Sequence, residues 1–217
     1  MSTEGEEANG GRFAFLRPPR DCTQPLHDKI LFETDGCVVT PTLGSIVPNW
    51  LLIVPRSPVL NFAHWSRTTG RSPLQLVKNV MTSCAFPSNR LVWFEHGPAQ
   101  TGSTLGCGVD QAHLHVIYDA PFSAEQVEVN ARKLSEFDWS NCDAESVYSS
   151  IRPQSSYLIT GSLDTAALAQ DVEQVGSQFF RRVIAKISDQ TDAWNYRTHP
   201  HLSNVRETIR TFQMNSK

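Results

Sequence analysis

Polar and apolar side chains alternate along the heptapeptide QAHLHVI, which spans residues 111–117. Successive side chains of a β-strand point to opposite faces of a sheet, so this alternation predicts a strand with one polar and one buried face. Gln111, His113 and His115 then project from the same face, while the residues between them enter the core. We therefore expect two imidazoles and an amide beside each other on one face of a sheet.

A loop of small residues, GPAQTGSTLGCG, precedes this strand over residues 97–108. Gly, Ser, Thr and Pro allow the backbone to bend close to a ligand. Consecutive N–H groups at Gly106, Cys107 and Gly108 can form a nest for phosphate oxygens. An imidazole can act as a neutral nucleophile at cell pH, while a neighbouring group donates hydrogen bonds. The loop and the histidines together predict a site for displacement at phosphorus.

Hydrophobic patterning in the rest of the chain predicts a mixed fold. We expect strands at 30–32, 37–39, 50–54, 91–94 and 156–160, and helices at 74–85, 123–134, 171–187 and 204–212. Because strands and helices do not alternate regularly, these elements indicate an α+β fold with much antiparallel sheet. Residues 1–25 are polar at first and then rich in proline, which predicts a mobile N-terminal arm.

Length and composition limit the function. The 217 residues are enough for one elaborated domain or a domain with an extension. A net charge of −3 disfavours binding to duplex nucleic acid. No apolar run approaches the roughly 18 residues that a membrane crossing needs, and the first residues do not resemble a secretory signal. Five cysteines without a C-x-x-C pair favour the reducing cytoplasm. We expect a cytoplasmic protein without a membrane partner.

Residues 111–117 and the loop before them resemble the signature of the histidine-triad superfamily of nucleotide hydrolases and transferases, which reads His, apolar, His, apolar, His, apolar, apolar. Residues 47–56, VPNWLLIVPR, are similar to a second motif of that family, Pro-Gly-His followed by apolar residues, Pro and a basic residue. The resemblance implies a histidine-triad-like antiparallel sheet with flanking helices over residues 26–122. It also implies a C-terminal α/β extension, residues 123–217, packed on that domain.

The resemblance implies a role for each matching position. His113 stands where the family's nucleophile attacks the α-phosphorus and carries the nucleotidyl group, and His115 stands where a hydrogen bond orients the phosphate. Nucleotide or phosphate contacts are further expected of Gly106, Cys107, Gly108 and Val109 in the loop, of Glu95 and of Thr42. His96 is a candidate for substrate contact because it lies next to the loop.

Three departures from the family pattern affect this interpretation, one of which is that the tail from about residue 123 to 217 is longer than in the smallest members. Gln111 replaces the first histidine of the triad, and an amide can form hydrogen bonds but cannot titrate. We expect altered tuning rather than loss of activity, with Gln111 helping to orient the phosphate. Asn49-Trp50 replaces the usual Gly-His of the second motif. On the amphipathic helix, Arg181 and Arg182 are expected on a solvated face, with phosphate binding as the alternative.

The prediction is an enzyme that cleaves a nucleotide phosphoanhydride or transfers a nucleotidyl group, from a nucleoside polyphosphate or nucleotide sugar to water or phosphate. This chemistry needs no resident metal or cofactor, although Mg²⁺ bound to the substrate is compatible with it. The first alternative is a non-catalytic module that binds nucleotides or RNA ends. The second is a zinc site at His96, His113 and His115. Relatives often pair through their sheets, so a homodimer is compatible with the resemblance.

Overall fold

The computed structural model describes Phe13, Leu16 and residues 25–86, 90–105 and 109–215. Its strands form one antiparallel sheet of eight, in the order β1-β2-β3-β5-β4-β7-β8-β6. The strands are β1 (Phe32–Thr34), β2 (Cys37–Pro41), β3 (Trp50–Pro55), β4 (Val92–Gly97), β5 (Leu114–Ile117), β6 (Trp139–Asp143), β7 (Tyr157–Gly161) and β8 (Thr165–Gln170). The predicted mobile arm lies outside the described residues, apart from Phe13, Leu16 and Pro25.

Helices flank this sheet, which confirms the predicted α+β class. They are α1 (Phe62–Thr69), α2 (Pro73–Ser83), α3 (Ala124–Lys133), α4 (Val147–Ser150), α5 (Phe179–Ile187) and α6 (Leu202–Asn215), with a 3-10 turn at Leu26–Asp28. Within the described ranges, none of these helices is both long and apolar enough to cross a membrane.

Alternation along the strands divides the core into two layers. On one side, which we call the α1 face, Trp93 and Leu114 pack with α1, α2 and α4. On the other side, the α5 face, Phe94 and Ile117 pack with α3 and α5. His115 follows Leu114 in β5, so its side chain lies on the α5 face.

Residues 123–215 continue the sheet of the N-terminal half. β7 pairs with β4 over five residues, from Trp93 opposite Gly161 to Gly97 opposite Tyr157. β8 and β6 then complete the sheet beyond β7. The C-terminal helix α6 also holds the turn before β3, because the Asn204 side-chain amide donates hydrogen bonds to the carbonyl oxygens of Ser45 and Ile46, at 2.7 and 3.0 Å. The two halves therefore share one sheet and one core.

Two predicted elements are shorter than expected. The strand predicted from residue 111 begins only at Leu114, so Gln111 precedes it. The helix predicted over 171–187 begins at Phe179. Gln174, Gly176 and Gln178 have φ angles of 54°, 70° and 61°. These left-handed conformations are incompatible with a continuous right-handed helix, so the first half of that prediction is wrong.

Candidate functional site

A small cavity opens on the α5 face where β4 ends and β5 begins. The part that a water molecule can reach measures about 20 Å³, which is room for about one water. We call it the histidine cavity, and its lining residues are His96, Val109, His113, His115, Gln178, Arg181 and Tyr196. Both halves of the chain contribute to its wall, and the three histidines that the sequence analysis singled out all reach it.

His113 lies just before β5 and is half-buried. Its Nδ1 atom is 2.8 Å from the backbone carbonyl oxygen of Gln111. The ring of Phe13 lies against His113, with 5.6 Å between the ring centroids. Phe13 itself packs on Val38 and Leu52 of the neighbouring strands. The His113 ring is thus held from one side by a backbone contact and covered from another by an aromatic residue.

His115 is only 5% exposed and lies beside His113, with 5.2 Å between the ring centroids. The indole N–H of Trp50 donates a hydrogen bond of 3.0 Å to its Nδ1 atom. Phe94 stacks on the imidazole at a centroid distance of 4.6 Å and an interplanar angle of 10°. These contacts fix both the plane and the orientation of the His115 ring.

His96 closes the cavity from β4 and is buried. Its Nε2 atom accepts a hydrogen bond of 3.2 Å from the backbone N–H of Phe180 and so caps the N-terminus of α5. Burial, reinforced by the positive charges of nearby groups including Arg181, lowers the pKa of His96 from its ordinary value to about 3. His96 is therefore neutral at cell pH.

Arg181 is buried, so the solvated face expected for it is wrong. Its guanidinium donates hydrogen bonds to the Thr42 hydroxyl at 2.8 Å, to the Leu43 carbonyl oxygen at 2.7 Å and to the Gly44 carbonyl oxygen. It also lies over the Trp50 ring at 4.8 Å. The amphipathic pattern could not predict this, because the turn at residues 42–44 that receives Arg181 is distant in sequence. Thr42 contacts Arg181 and does not line the histidine cavity.

Arg182, the neighbouring arginine, is half-buried rather than solvated. Its guanidinium donates a hydrogen bond of 2.7 Å to the carbonyl oxygen of Val175 in the segment before α5. This contact holds the irregular chain that leads into the helix.

Gln111 contributes its backbone rather than its side chain to the site. The side-chain amide donates hydrogen bonds to the carbonyl oxygens of Pro55 and Ser57, at 2.8 and 3.1 Å. It therefore fixes the chain that leaves β3 and does not line the histidine cavity. The strand pattern predicted that this amide lies beside the two histidines, and that prediction is wrong. The reason is that β5 begins three residues after Gln111.

Glu95 lies on the α1 face, opposite to His96, because successive side chains of β4 alternate. Its carboxylate accepts hydrogen bonds of 2.7 Å from the backbone N–H of Phe62 and from the hydroxyl of Tyr157. Complete burial raises its pKa from 4.5 to about 7. The structure does not bring Glu95 to the histidine cavity, so its polar contacts serve the junction between β4 and α1.

The predicted phosphate loop is only partly described. Gly106, Cys107 and Gly108 lie outside the described residues, and their expected contacts stay predictions. Val109, the next residue of the loop, lines the histidine cavity beside His113. The loop thus leads directly into the cavity wall.

The alternative zinc site finds no support in the geometry. In the part of the chain that the structure describes, no group of three His, Cys, Asp or Glu side chains is arranged to hold a metal ion. One nitrogen of His115 and one of His96 already accept hydrogen bonds, from Trp50 and from Phe180, so only the second nitrogen of each ring could act as a ligand.

Comparisons with known proteins add no family. No protein-family model matches this chain, and no curated protein matches it either. The motif residues and the geometry around them are therefore what indicates a function for this chain.

Proposed function

We propose that this protein is a nucleotidyl-transferring enzyme of the histidine-triad type, which cleaves a nucleotide phosphoanhydride through a nucleotidyl-His113 intermediate. One observation carries the proposal. The carbonyl oxygen of Gln111 can only accept a hydrogen bond, so the Nδ1 atom of His113 must hold the proton. In the neutral ring, the Nε2 atom then carries the lone pair, which is the form that a nucleophilic imidazole requires.

The proposed reaction has two displacements. In the first, Nε2 of His113 attacks the α-phosphorus, a P–N bond forms, and the P–O bond to the leaving phosphate breaks with its electron pair on the leaving oxygen. In the second, water or inorganic phosphate attacks the same phosphorus, the P–N bond breaks with its electron pair returning to Nε2 of His113, and the proton of an attacking water passes to the solvent. His115 lines the same cavity and supplies a hydrogen bond to the phosphoryl group.

Room for the rest of a nucleotide is available at the same end of the sheet. β4 ends at Gly97 opposite Tyr157, which in turn lies opposite Gln170 at the end of β8. The loops that follow β4 and β8 border a polar groove of about 630 Å³. The histidine cavity itself holds about one water, so binding of a phosphoryl group requires lining side chains such as Tyr196 to move.

Covalent trapping tests the proposal. Nucleotide sugars and dinucleoside polyphosphates labelled on the α-phosphate are mixed with the protein, with and without inorganic phosphate, and acid-labile label on the chain is measured. We expect label on the wild type and none on His113→Asn, whose amide can still donate to the Gln111 carbonyl oxygen. His64→Asn is the matched control, since His64 is exposed on α1.

The outcomes separate the proposal from its alternative. Labelling that survives His113→Asn would show that another group is the nucleophile. Tight nucleotide binding without label or turnover for any substrate would identify a non-catalytic binding module instead. Stimulation of turnover by phosphate distinguishes a phosphorylase from a hydrolase.

A further inference from the structure

We propose that Trp50 is a positioning residue, which fixes His115 in the tautomer with its proton on Nε2 and so makes His115 a hydrogen-bond donor beside the nucleophile. The part of this inference that concerns the reaction rests on the proposed function. The part that concerns the tautomer stands on the geometry of the indole and the imidazole alone.

The tautomer follows from the chemistry of the indole. The Nε1–H group of Trp50 lies 3.0 Å from Nδ1 of His115. An indole N–H can donate a hydrogen bond but cannot accept one, so Nδ1 must be the acceptor in this pair. The single proton of a neutral imidazole then lies on Nε2. Because the indole does not ionise, Trp50 remains a donor, and its hydrogen bond is formed only with an unprotonated Nδ1.

His113 and His115 are consequently held in opposite tautomers. His113 has its proton on Nδ1, because its partner is a carbonyl oxygen that only accepts. His115 has its proton on Nε2, because its partner only donates. The two rings lie 5.2 Å apart on the same cavity. One imidazole therefore offers a lone pair and the other offers a proton, which is the division of roles that attack on a phosphoryl group requires.

Trp50 is held firmly enough to impose this choice. In the register of β3 and β5, Leu52 lies opposite His115 and Trp50 opposite Ile117, so Trp50 is a diagonal neighbour of His115 on the same face. The indole is fully buried, packs edge-on against Phe94 at 5.6 Å and lies under the Arg181 guanidinium at 4.8 Å. Arg181 belongs to α5, so the C-terminal half clamps the residue that orients His115.

The experiment compares Trp50→Phe with Trp93→Phe. Both residues are buried tryptophans whose indole donates a hydrogen bond, but Trp93 lies on the α1 face and donates to the carbonyl oxygen of Ser162. The protein is labelled with ¹⁵N-histidine, and its imidazole ¹⁵N signals are recorded without substrate. The His115 signals are identified by their loss in His115→Gln.

In the wild type and in Trp93→Phe we expect a protonated Nε2 and an unprotonated Nδ1 at His115. In Trp50→Phe the two signals should move towards each other, because both tautomers become populated once the donor is gone. Turnover should fall about tenfold in kcat, the effect of losing one hydrogen bond worth about 1.4 kcal/mol, with KM nearly unchanged.

Two results overturn the proposal: a proton on Nδ1 of His115 in the wild type, or His115 signals in Trp50→Phe that are identical to those of the wild type. The wild-type spectrum decides the tautomer even if Trp50→Phe does not fold. Failure of the proposed function would instead appear as an absence of covalent label on a wild type whose His115 tautomer is as expected, so the two failures are distinguishable.

Discussion

Replacing Glu95 by Gln should remove a pH dependence from the stability of this protein. A glutamine side chain does not titrate; its oxygen can accept the hydrogen bond from the Phe62 N–H, and its NH2 group can donate to the Tyr157 oxygen in place of accepting from it. The buried carboxyl has its pKa raised from 4.5 to about 7. The folded state therefore holds this proton more tightly than the unfolded state, and the stabilisation is complete below the ordinary pKa and is lost as the pH rises through the folded one.

The size of the effect follows from those two values. The difference between 4.5 and about 7 corresponds to ~3 kcal/mol, of which about 2.5 kcal/mol falls between about pH 5 and pH 8. The free energy of unfolding is measured from urea transitions at both pH values for the wild type and for Glu95→Gln. The free energy of unfolding of the variant minus that of the wild type should be about 2.5 kcal/mol larger at about pH 8 than at about pH 5.

His96 contributes equally to the pH dependence of both proteins. Its contribution therefore cancels when the free energy of unfolding of the wild type is subtracted from that of Glu95→Gln. Glu125→Gln on the surface of α3 is the control and should follow the wild type at both pH values. Parallel pH profiles for the wild type and Glu95→Gln would refute the reasoning, because the carboxylate would then be as well solvated in the folded chain as in the unfolded one.

His96 and Arg181 give two further predictions. The pKa of His96 is lowered from 6.5 to about 3, so its contribution to stability is present above the unfolded pKa and is lost as the pH falls. Between neutral pH and about pH 4, the free energy of unfolding of the wild type should therefore fall by ~3 kcal/mol more than that of His96→Gln, as measured by urea unfolding. The free energy of unfolding of Arg181→Lys should be about 2 kcal/mol lower than that of the wild type at neutral pH, because an ammonium cannot reach all three oxygen atoms of the turn at residues 42–44. An unchanged urea midpoint would contradict that.

Local patterns in the sequence predicted the centre of the sheet correctly and its outer parts less well. The apolar run at β3 and the periodicity of α2 are strong local signals, and both elements are found. β8 was not predicted, since its sequence TAALAQ is poor in β-branched residues. α1 was also missed, although Asn61 caps its N-terminus and Gly70 ends it in a left-handed conformation.

The candidate site shows the same limit. Alternation alone placed His113 and His115 together, because both belong to one short segment. The roles of Trp50 and Arg181 depend on packing between residues that are 65 and about 140 positions apart in the chain, and no local pattern encodes such contacts. Glu95 was misplaced because the motif fixes the strand it lies on but not which face of β4 contacts the ligand.

The pairing of β7 with β4 has a consequence for any attempt to dissect this chain. A fragment that ended at residue 122 would keep β5 beside β4 but would leave the residues of β4 from Trp93 to Gly97 without their neighbour on the β7 side. A buried strand edge uncovered in this way is a template for self-association. Such a fragment would also lose the guanidinium that lies over the indole of Trp50. We therefore expect the candidate site to be assayable only in a chain that keeps β7 and α5.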